Sequence, residues 1–113
     1  MSRRSDPRRL RMNYDFGMKT DNLESARRLI ERVTGLTALD KEHVDLGGRY
    51  YEFEGPSGES IILIRNLDIY DLEPLVDGLD DCPIVVLVEN GNEASPIMRA
   101  LMQEKEHLNL RRK

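Results

Sequence analysis

The chain has 113 residues, of which 39% are hydrophobic and 34% are charged, an ordinary composition for one soluble domain with a single core. Its longest apolar run, Ile84 to Val88, is far shorter than the roughly 20 residues of a membrane-spanning helix, so no membrane association is expected. The single cysteine, Cys82, excludes an internal disulfide and favours a cytoplasmic location.

The net charge of −4 is distributed unevenly along the chain. Residues 1–11 carry five arginines and one aspartate and are expected to form a disordered basic tail, while residues 111–113 form a basic C-terminal tail. Residues 12–110, the expected single domain, carry nine basic and twenty acidic side chains, a net charge of −11. Such an acidic body repels nucleic acid and favours a basic protein partner. The arginine tail is the one candidate contact for nucleic acid, but it is short and lacks aromatic residues.

The first elements are predicted from hydrophobic periodicity. Met12 to Met18 alternates apolar and polar residues, which is typical of a half-buried strand. A helix follows, with Asp21 as its predicted N-cap and Gly35 as its left-handed stop. Charged residues alternate through Thr37 to Leu46, which predicts an edge strand.

A hairpin is the clearest feature of the middle of the chain. Two β-rich runs, Arg49 to Glu54 and Ser60 to Arg65, flank the turn sequence Gly55-Pro56-Ser57-Gly58. The second run is apolar on both faces, so we expect it to lie in the middle of a sheet with both faces covered or partly covered.

After the hairpin comes an acidic connection, which we call the acidic loop, spanning residues 67–83. Six apolar residues are expected to anchor it as an ordered segment with one short helical turn: Leu67, Ile69, Leu72, Leu75, Val76 and Leu79. A second doubly apolar strand from Ile84 to Val88 and a helix capped by Ser95, with Pro96 at its first position, complete the chain. The predicted fold is α+β: a mostly antiparallel sheet of about five strands with two helices, in the order β-α-β-β-β-loop-β-α.

No residue pattern predicts a catalytic, metal or cofactor site. His43 and His107 lie far apart on unrelated elements, and no closely spaced pair of cysteines or histidines is present. Cys82 precedes Pro83 at the start of a buried strand and is expected to be a small buried side chain. We therefore expect a protein without enzymatic activity.

The acidic loop is the predicted partner-binding surface. It contains six acidic residues and no basic one, and solubility alone does not explain this bias on an ordered loop. Tyr70 is a candidate aromatic anchor, because interface energy concentrates in such side chains. The predicted binding residues are Asp68, Tyr70, Asp71, Glu73, Asp77, Asp80 and Asp81.

The acidic body, the stretch GGRYYEFEGPSGESIILIRN and the acidic loop after it resemble the small immunity proteins of bacterial polymorphic and contact-dependent inhibition toxin systems. This resemblance implies a non-enzymatic inhibitor that binds a basic toxin domain, often a nuclease, and covers its active site with carboxylates.

The β-α-β-β-β order of Met12 to Arg65 also resembles one module of the vicinal oxygen chelate superfamily. That resemblance implies a homodimer that binds a small ligand in a cleft lined by Tyr14, Phe16, Tyr51 and Phe53. The usual metal ligands of the superfamily are missing from its first and last strands. A structural or regulatory domain is the third hypothesis.

Overall fold

The computed structural model describes residues 12–92 and 94–111, apart from the side chain of Met12. Its strands are β1 (Met12–Met18), β2 (Leu39–His43), β3 (Gly48–Glu54), β4 (Ser60–Arg65), β5 (Ile84–Gly91) and β6 (Asn109–Leu110), and its helices are α1 (Leu23–Thr34) and α2 (Pro96–Gln103). A short 3-10 turn, Val44–Leu46, connects β2 to β3. The predicted α+β class and element order are confirmed, with one additional strand.

The described strands form one antiparallel sheet in the order β2-β3-β4-β5-β1-β6. The apolar runs of β4 and β5 lie side by side in its interior, as their doubly apolar sequences predict. The sixth strand, β6, pairs with β1 through Phe16 and Gly17. It has only two residues, too few to produce a periodic pattern in the sequence.

One face of the sheet packs against both helices and forms the main core. The strands contribute alternate residues to it, and the helices contribute one apolar face each. The fully enclosed members include Phe16, Ile30, Phe53, Ile61, Leu63, Ile84, Met98 and Leu101. Tyr14, Phe16 and Met18 of β1 are buried, so the alternation predicted for that strand is confirmed for the side chains that the structure describes.

Helix α1 begins one residue later than its sequence predicts. Its N-cap is Asn22, whose side chain accepts a hydrogen bond of 3.0 Å from the backbone N–H of Ser25. Asp21 is therefore not the cap, and its backbone carbonyl instead accepts a hydrogen bond from Arg65. Asparagine and aspartate cap helices about equally well, so the sequence offers no preference between these neighbours. The stop at Gly35 is confirmed, with a positive φ of 74°.

The other face of the sheet carries a smaller apolar cluster, formed by Ile64 and Val85 together with part of the acidic loop. Gly17 in β1 lies directly beneath that loop. A Cβ atom at this position would stand 2.4 Å from Cys82 Sγ, so only glycine permits the observed approach. The acidic loop is thus the cover of the second face.

The structure describes part of the predicted C-terminal tail and none of the predicted N-terminal tail. The predicted disordered tail, residues 1–11, lies outside the described residues, as do residues 112–113. Arg111, the first residue of the predicted C-terminal tail, lies against the sheet. Its backbone N–H donates to the carbonyl of Asp15 at 2.8 Å, and its guanidinium donates to the carbonyl of Asp77.

Candidate functional site

The acidic loop is organised around one buried amide side chain, Asn66, at the end of β4. The amide nitrogen of Asn66 donates to the carbonyls of Leu79 and Cys82, at 2.8 and 3.0 Å. Its side-chain oxygen accepts a hydrogen bond from the N–H of Val76 at 3.1 Å, and its backbone N–H donates to the carbonyl of Pro83 at 2.8 Å. Because these partners span residues 76–83, one side chain closes the second half of the loop.

The second half of the acidic loop, residues 76–83, anchors the loop on the sheet. Val76, Leu79 and Cys82 are buried against the sheet, which confirms the predicted burial of these three residues. Ile69 is half-buried. The predicted anchoring role is wrong for Leu67, Leu72 and Leu75, which are exposed. The loop has turns where a short helical turn was predicted.

The first half of the loop is a compact turn that presents two large side chains to solvent. The backbone N–H of Asp68 donates to the carbonyl of Glu73 at 2.8 Å, and that of Leu72 donates to the carbonyl of Asp68 at 2.7 Å. Leu72 has a positive φ of 63°, which is uncommon for a leucine. Tyr70 and Leu72 are 73% and 72% exposed. The turn is therefore ordered by its own hydrogen bonds, and its apolar side chains remain uncovered.

The seven predicted partner-binding residues fall into two groups. The first group, on the exposed turn, consists of Asp68, Tyr70, Asp71 and Glu73. The carboxylates of Asp68 and Asp71 each accept one backbone N–H at 2.9 Å, from Tyr70 and Glu73 respectively. One oxygen of each carboxylate thus fixes the turn.

The second group, Asp77, Asp80 and Asp81, lies on the anchored half. Lys19 binds the Asp81 carboxylate by a hydrogen bond and an ion pair, and this contact holds the pKa of Asp81 below its usual value. Asp80 accepts the N–H of Gly78 at 3.3 Å. Asp81 is thus the acid of these two groups that pairs with a lysine, and Tyr70 lies with Asp68, Asp71 and Glu73 on the first half of the loop.

The structure adds two residues that sequence reasoning missed, Val44 and Asp45 of the 3-10 turn. The hydroxyl of Tyr70 donates a hydrogen bond to the Asp45 carboxylate, and this contact raises the pKa of Tyr70. Val44 is 74% exposed. The two segments also meet at Gly47, where an added Cβ would stand 3.3 Å from Ile69 Cγ2. No sequence pattern sets Val44 apart, since Ala38, Leu39 and Leu46 are also apolar members of the same segment.

The four residues predicted to line a ligand cleft lie in the main core on the helix side. Tyr14, Phe16, Tyr51 and Phe53 are all buried there. Phe16 borders a cavity of about 500 Å³ between the end of α2 and β6. Tyr51 borders a different cavity, of about 400 Å³, at the start of α1.

Tyr51 also forms the centre of a polar network between α1 and the sheet. Its hydroxyl donates to the Glu24 carboxylate and accepts from Arg49 at 2.9 Å. Arg27 also donates to Glu24, at 2.8 Å. The hydrogen bond from Tyr51, followed by that from Arg27, holds the pKa of Glu24 below its usual value. These hydrogen bonds attach α1 to β3.

Replacing Tyr51 with phenylalanine is expected to raise the pKa of Glu24 towards its ordinary value, because the strongest donor to the carboxylate is lost. A carboxyl group with a lowered folded-state pKa stabilises the fold above its unfolded pKa, and this stabilisation is lost as the pH falls through the folded pKa. The variant should therefore lose less stability on acidification. An NMR titration of the Glu24 carboxyl carbon measures the shift, with Tyr50→Phe on the opposite face as the control. An unchanged titration would assign the low pKa of Glu24 to the arginines alone.

The two histidines remain on separate elements: His43 ends β2, and His107 lies in the turn before β6. Glu104, Glu106 and His107 place one potential metal-ligating atom each within 4.8 Å of one another. His107 already pairs with Glu104, at 2.6 Å. Exposed carboxylates commonly cluster without an ion, so this turn does not by itself define a metal site.

The fold and the candidate site together define a class: an α+β domain with one sheet, helices on one face and an acidic loop with exposed apolar residues on the other. No model of a known protein family, no curated protein and no solved structure matches the chain. Among the residues that the structure describes, neither helix has the length and apolar character to cross a membrane.

Proposed function

We propose that this protein is a non-enzymatic binding module of the immunity or inhibitor kind, which covers a basic protein partner with its acidic loop. One observation carries the proposal. Among the described residues, the large hydrophobic side chains that remain exposed are concentrated on this loop, namely Leu67, Tyr70, Leu72 and Leu75, with Leu39 and Val44 elsewhere. Contiguous exposed apolar residues rimmed by polar groups are typical of protein interaction sites.

Electrostatics supports a basic partner. Asp68, Asp71 and Glu73 flank the exposed Tyr70 and Leu72, and residues 67–83 contain no basic side chain. Complementary charge accelerates encounter and disfavours acidic competitors, while buried aromatic and aliphatic contacts slow dissociation. The loop thus combines the two features that fast and lasting inhibition needs.

The proposed partner class is a bacterial toxin domain in the cytoplasm, of the kind that acts on nucleic acid. A nuclease surface must be basic to bind phosphates, and carboxylates on a rigid loop would occupy the same basic groups. This assignment rests on the resemblance to immunity proteins and on the charge of the loop. Inhibition by occlusion requires no catalytic residue in the inhibitor.

The first test is affinity capture of the tagged protein from its native cytoplasm at low and high salt, with stoichiometry counted. A single basic protein retained one-to-one, and bound more weakly at high salt, is the expected result. Recovery of only a self-dimer would contradict the proposal and favour the small-ligand hypothesis.

Neutralising three loop acids is then expected to slow association with the captured partner about tenfold at low salt and to flatten its salt dependence. The variant Asp68→Asn, Asp71→Asn, Glu73→Gln keeps the side-chain oxygens that accept the backbone N–H groups of the turn. Stopped-flow kinetics over a range of salt concentrations measures the effect.

A matched control removes the same charge from sites outside the loop and the 3-10 turn: Glu54→Gln, Glu104→Gln, Glu106→Gln. At 0.1 M salt the screening length is about 10 Å, so charges outside the contact surface contribute less to encounter, and this control should associate more nearly like the wild type than the loop variant does. Equal salt slopes for the wild type and the loop variant would refute the proposed role of the loop.

A further inference from the structure

The exposed half of the acidic loop and the 3-10 turn form one continuous surface, although more than 20 residues separate Asp45 from Asp68 in the sequence. The hydroxyl of Tyr70 bridges to Asp45, and Ile69 lies against Gly47. Val44, Tyr70 and Leu72 are each more than 70% exposed, with Asp45, Asp68, Asp71 and Glu73 near them along the two segments. We call these seven residues the composite surface.

We propose that the composite surface, rather than the whole acidic loop, is the docking site, and that its occupant is a protein segment with a basic rim and an apolar centre. The inference rests on the proposed function and deepens it by assigning different roles to the two halves of the acidic loop. Residues 67–75 and the 3-10 turn contact the partner. Residues 76–82 hold the loop on the sheet, because Val76, Leu79 and Cys82 are buried there.

The backbone of the composite surface is preorganised for this role. Leu72 is held at a positive φ by the hydrogen bonds that close the turn, and its side chain gains no burial within the chain in return. A strained backbone that presents an uncovered leucine is explained if a partner covers that leucine. A turn that is already ordered also loses little conformational freedom on binding.

Charge selects the occupant. If two copies of this chain paired through the same surface, carboxylates would face carboxylates around the apolar centre, which is unfavourable without basic residues to compensate. Within residues 42–48 and 67–75 the only residue that can become cationic is His43. A segment that carries arginine or lysine around an aromatic or aliphatic side chain can pair with the acids and cover the exposed Val44, Tyr70 and Leu72.

A phage-displayed library of random dodecapeptides, selected on the full-length protein, supplies a probe that does not require the natural partner. Selected peptides should combine basic residues with an aromatic or aliphatic centre. Fluorescence anisotropy with a selected synthetic peptide should show at least tenfold weaker binding to the double variant Val44→Ser, Leu72→Asn. Asparagine tolerates positive φ, so this change removes the leucine side chain and retains the turn.

Leu39→Ser is the matched control, because Leu39 is an exposed leucine at the end of β2 that is far from the 3-10 turn. The affinity of this variant for the peptide should stay within twofold of the wild-type affinity. Binding of the double variant within twofold of the wild type, combined with loss in the variant Asp77→Asn, Asp80→Asn of the anchored half, would overturn the composite surface and leave the proposed function standing. If neither of these variants nor the variant Asp68→Asn, Asp71→Asn, Glu73→Gln loses binding, both are overturned. Two further outcomes would overturn the inference. One is a selection that yields acidic peptides or no peptides. The other is self-association of the protein, measured by sedimentation, that the double variant abolishes.

Discussion

Replacing Asn66 with aspartate is expected to lower the free energy of unfolding by about 2–4 kcal/mol, because two buried carbonyls lose their donor and face a carboxylate instead. In the wild type the amide nitrogen of Asn66 donates to Leu79 and Cys82, and its oxygen accepts from Val76. Aspartate has nearly the same shape but no amide hydrogen atoms. Urea denaturation measures the global loss, and hydrogen exchange of residues 76–83 reports whether the second half of the acidic loop opens first.

The effect should depend on pH in a defined direction. The introduced carboxyl group faces two carbonyl oxygens in a buried site, so the folded state favours its neutral form and raises its pKa above the unfolded value. The stability deficit is therefore largest above the folded-state pKa and shrinks as the pH falls towards the unfolded value.

The control for this substitution is Asn22→Asp, the same chemical change at the exposed N-cap of α1. Aspartate also caps helices well and its charge suits the helix N-terminus, so a change within about 0.5 kcal/mol is expected. If Asn66→Asp is as mild as this control, and residues 76–83 keep their protection, the loop is not held by Asn66.

The importance of Asn66 illustrates what the sequence reveals about this fold and what it does not. Strand β4 is predicted at its observed bounds, Ser60 to Arg65, because a run that is apolar on both faces is a strong local signal. An asparagine directly after a strand has the appearance of an ordinary turn residue. Its hydrogen bonds reach residues 10 to 16 positions further on, and no periodic pattern encodes such distant partners.

The same distinction applies to the candidate site. The acidic charge of residues 67–83 follows from composition. Which of the loop's apolar residues face the sheet does not, because an irregular segment has no period that separates an inner from an outer side. Leu72 is as hydrophobic as Leu79, yet Leu79 is buried and Leu72 is exposed. Val44 and Asp45 join the site only through the tertiary contact with Tyr70, which requires the fold.

Replacing Phe53 with alanine is expected to cost about 3–5 kcal/mol, a large share of the 5–15 kcal/mol that stabilises a typical domain. Phe53 is fully enclosed in the main core on β3, where it pairs across the sheet with Ile61. Truncation removes an aromatic ring from close-packed surroundings that can only partly collapse around the cavity. Thermal and urea unfolding measure the loss, and Phe53→Leu, which preserves more volume, should lose clearly less.

The contrast between Phe53→Ala and Asn66→Asp tests whether the two faces of the sheet unfold separately. Phe53 lies on the helix-covered face, whereas Asn66 holds the cover of the opposite face. Loss of Phe53 should therefore reduce hydrogen-exchange protection throughout the sheet, including residues 76–83, because the loop needs the sheet beneath it. Loss of the Asn66 amide should expose residues 76–83 while β3 and β4 retain more protection. If both variants lost hydrogen-exchange protection equally in the loop and in the sheet, the loop and the sheet would unfold as one cooperative unit. Any substitution that weakens the core would then also disturb the proposed binding surface.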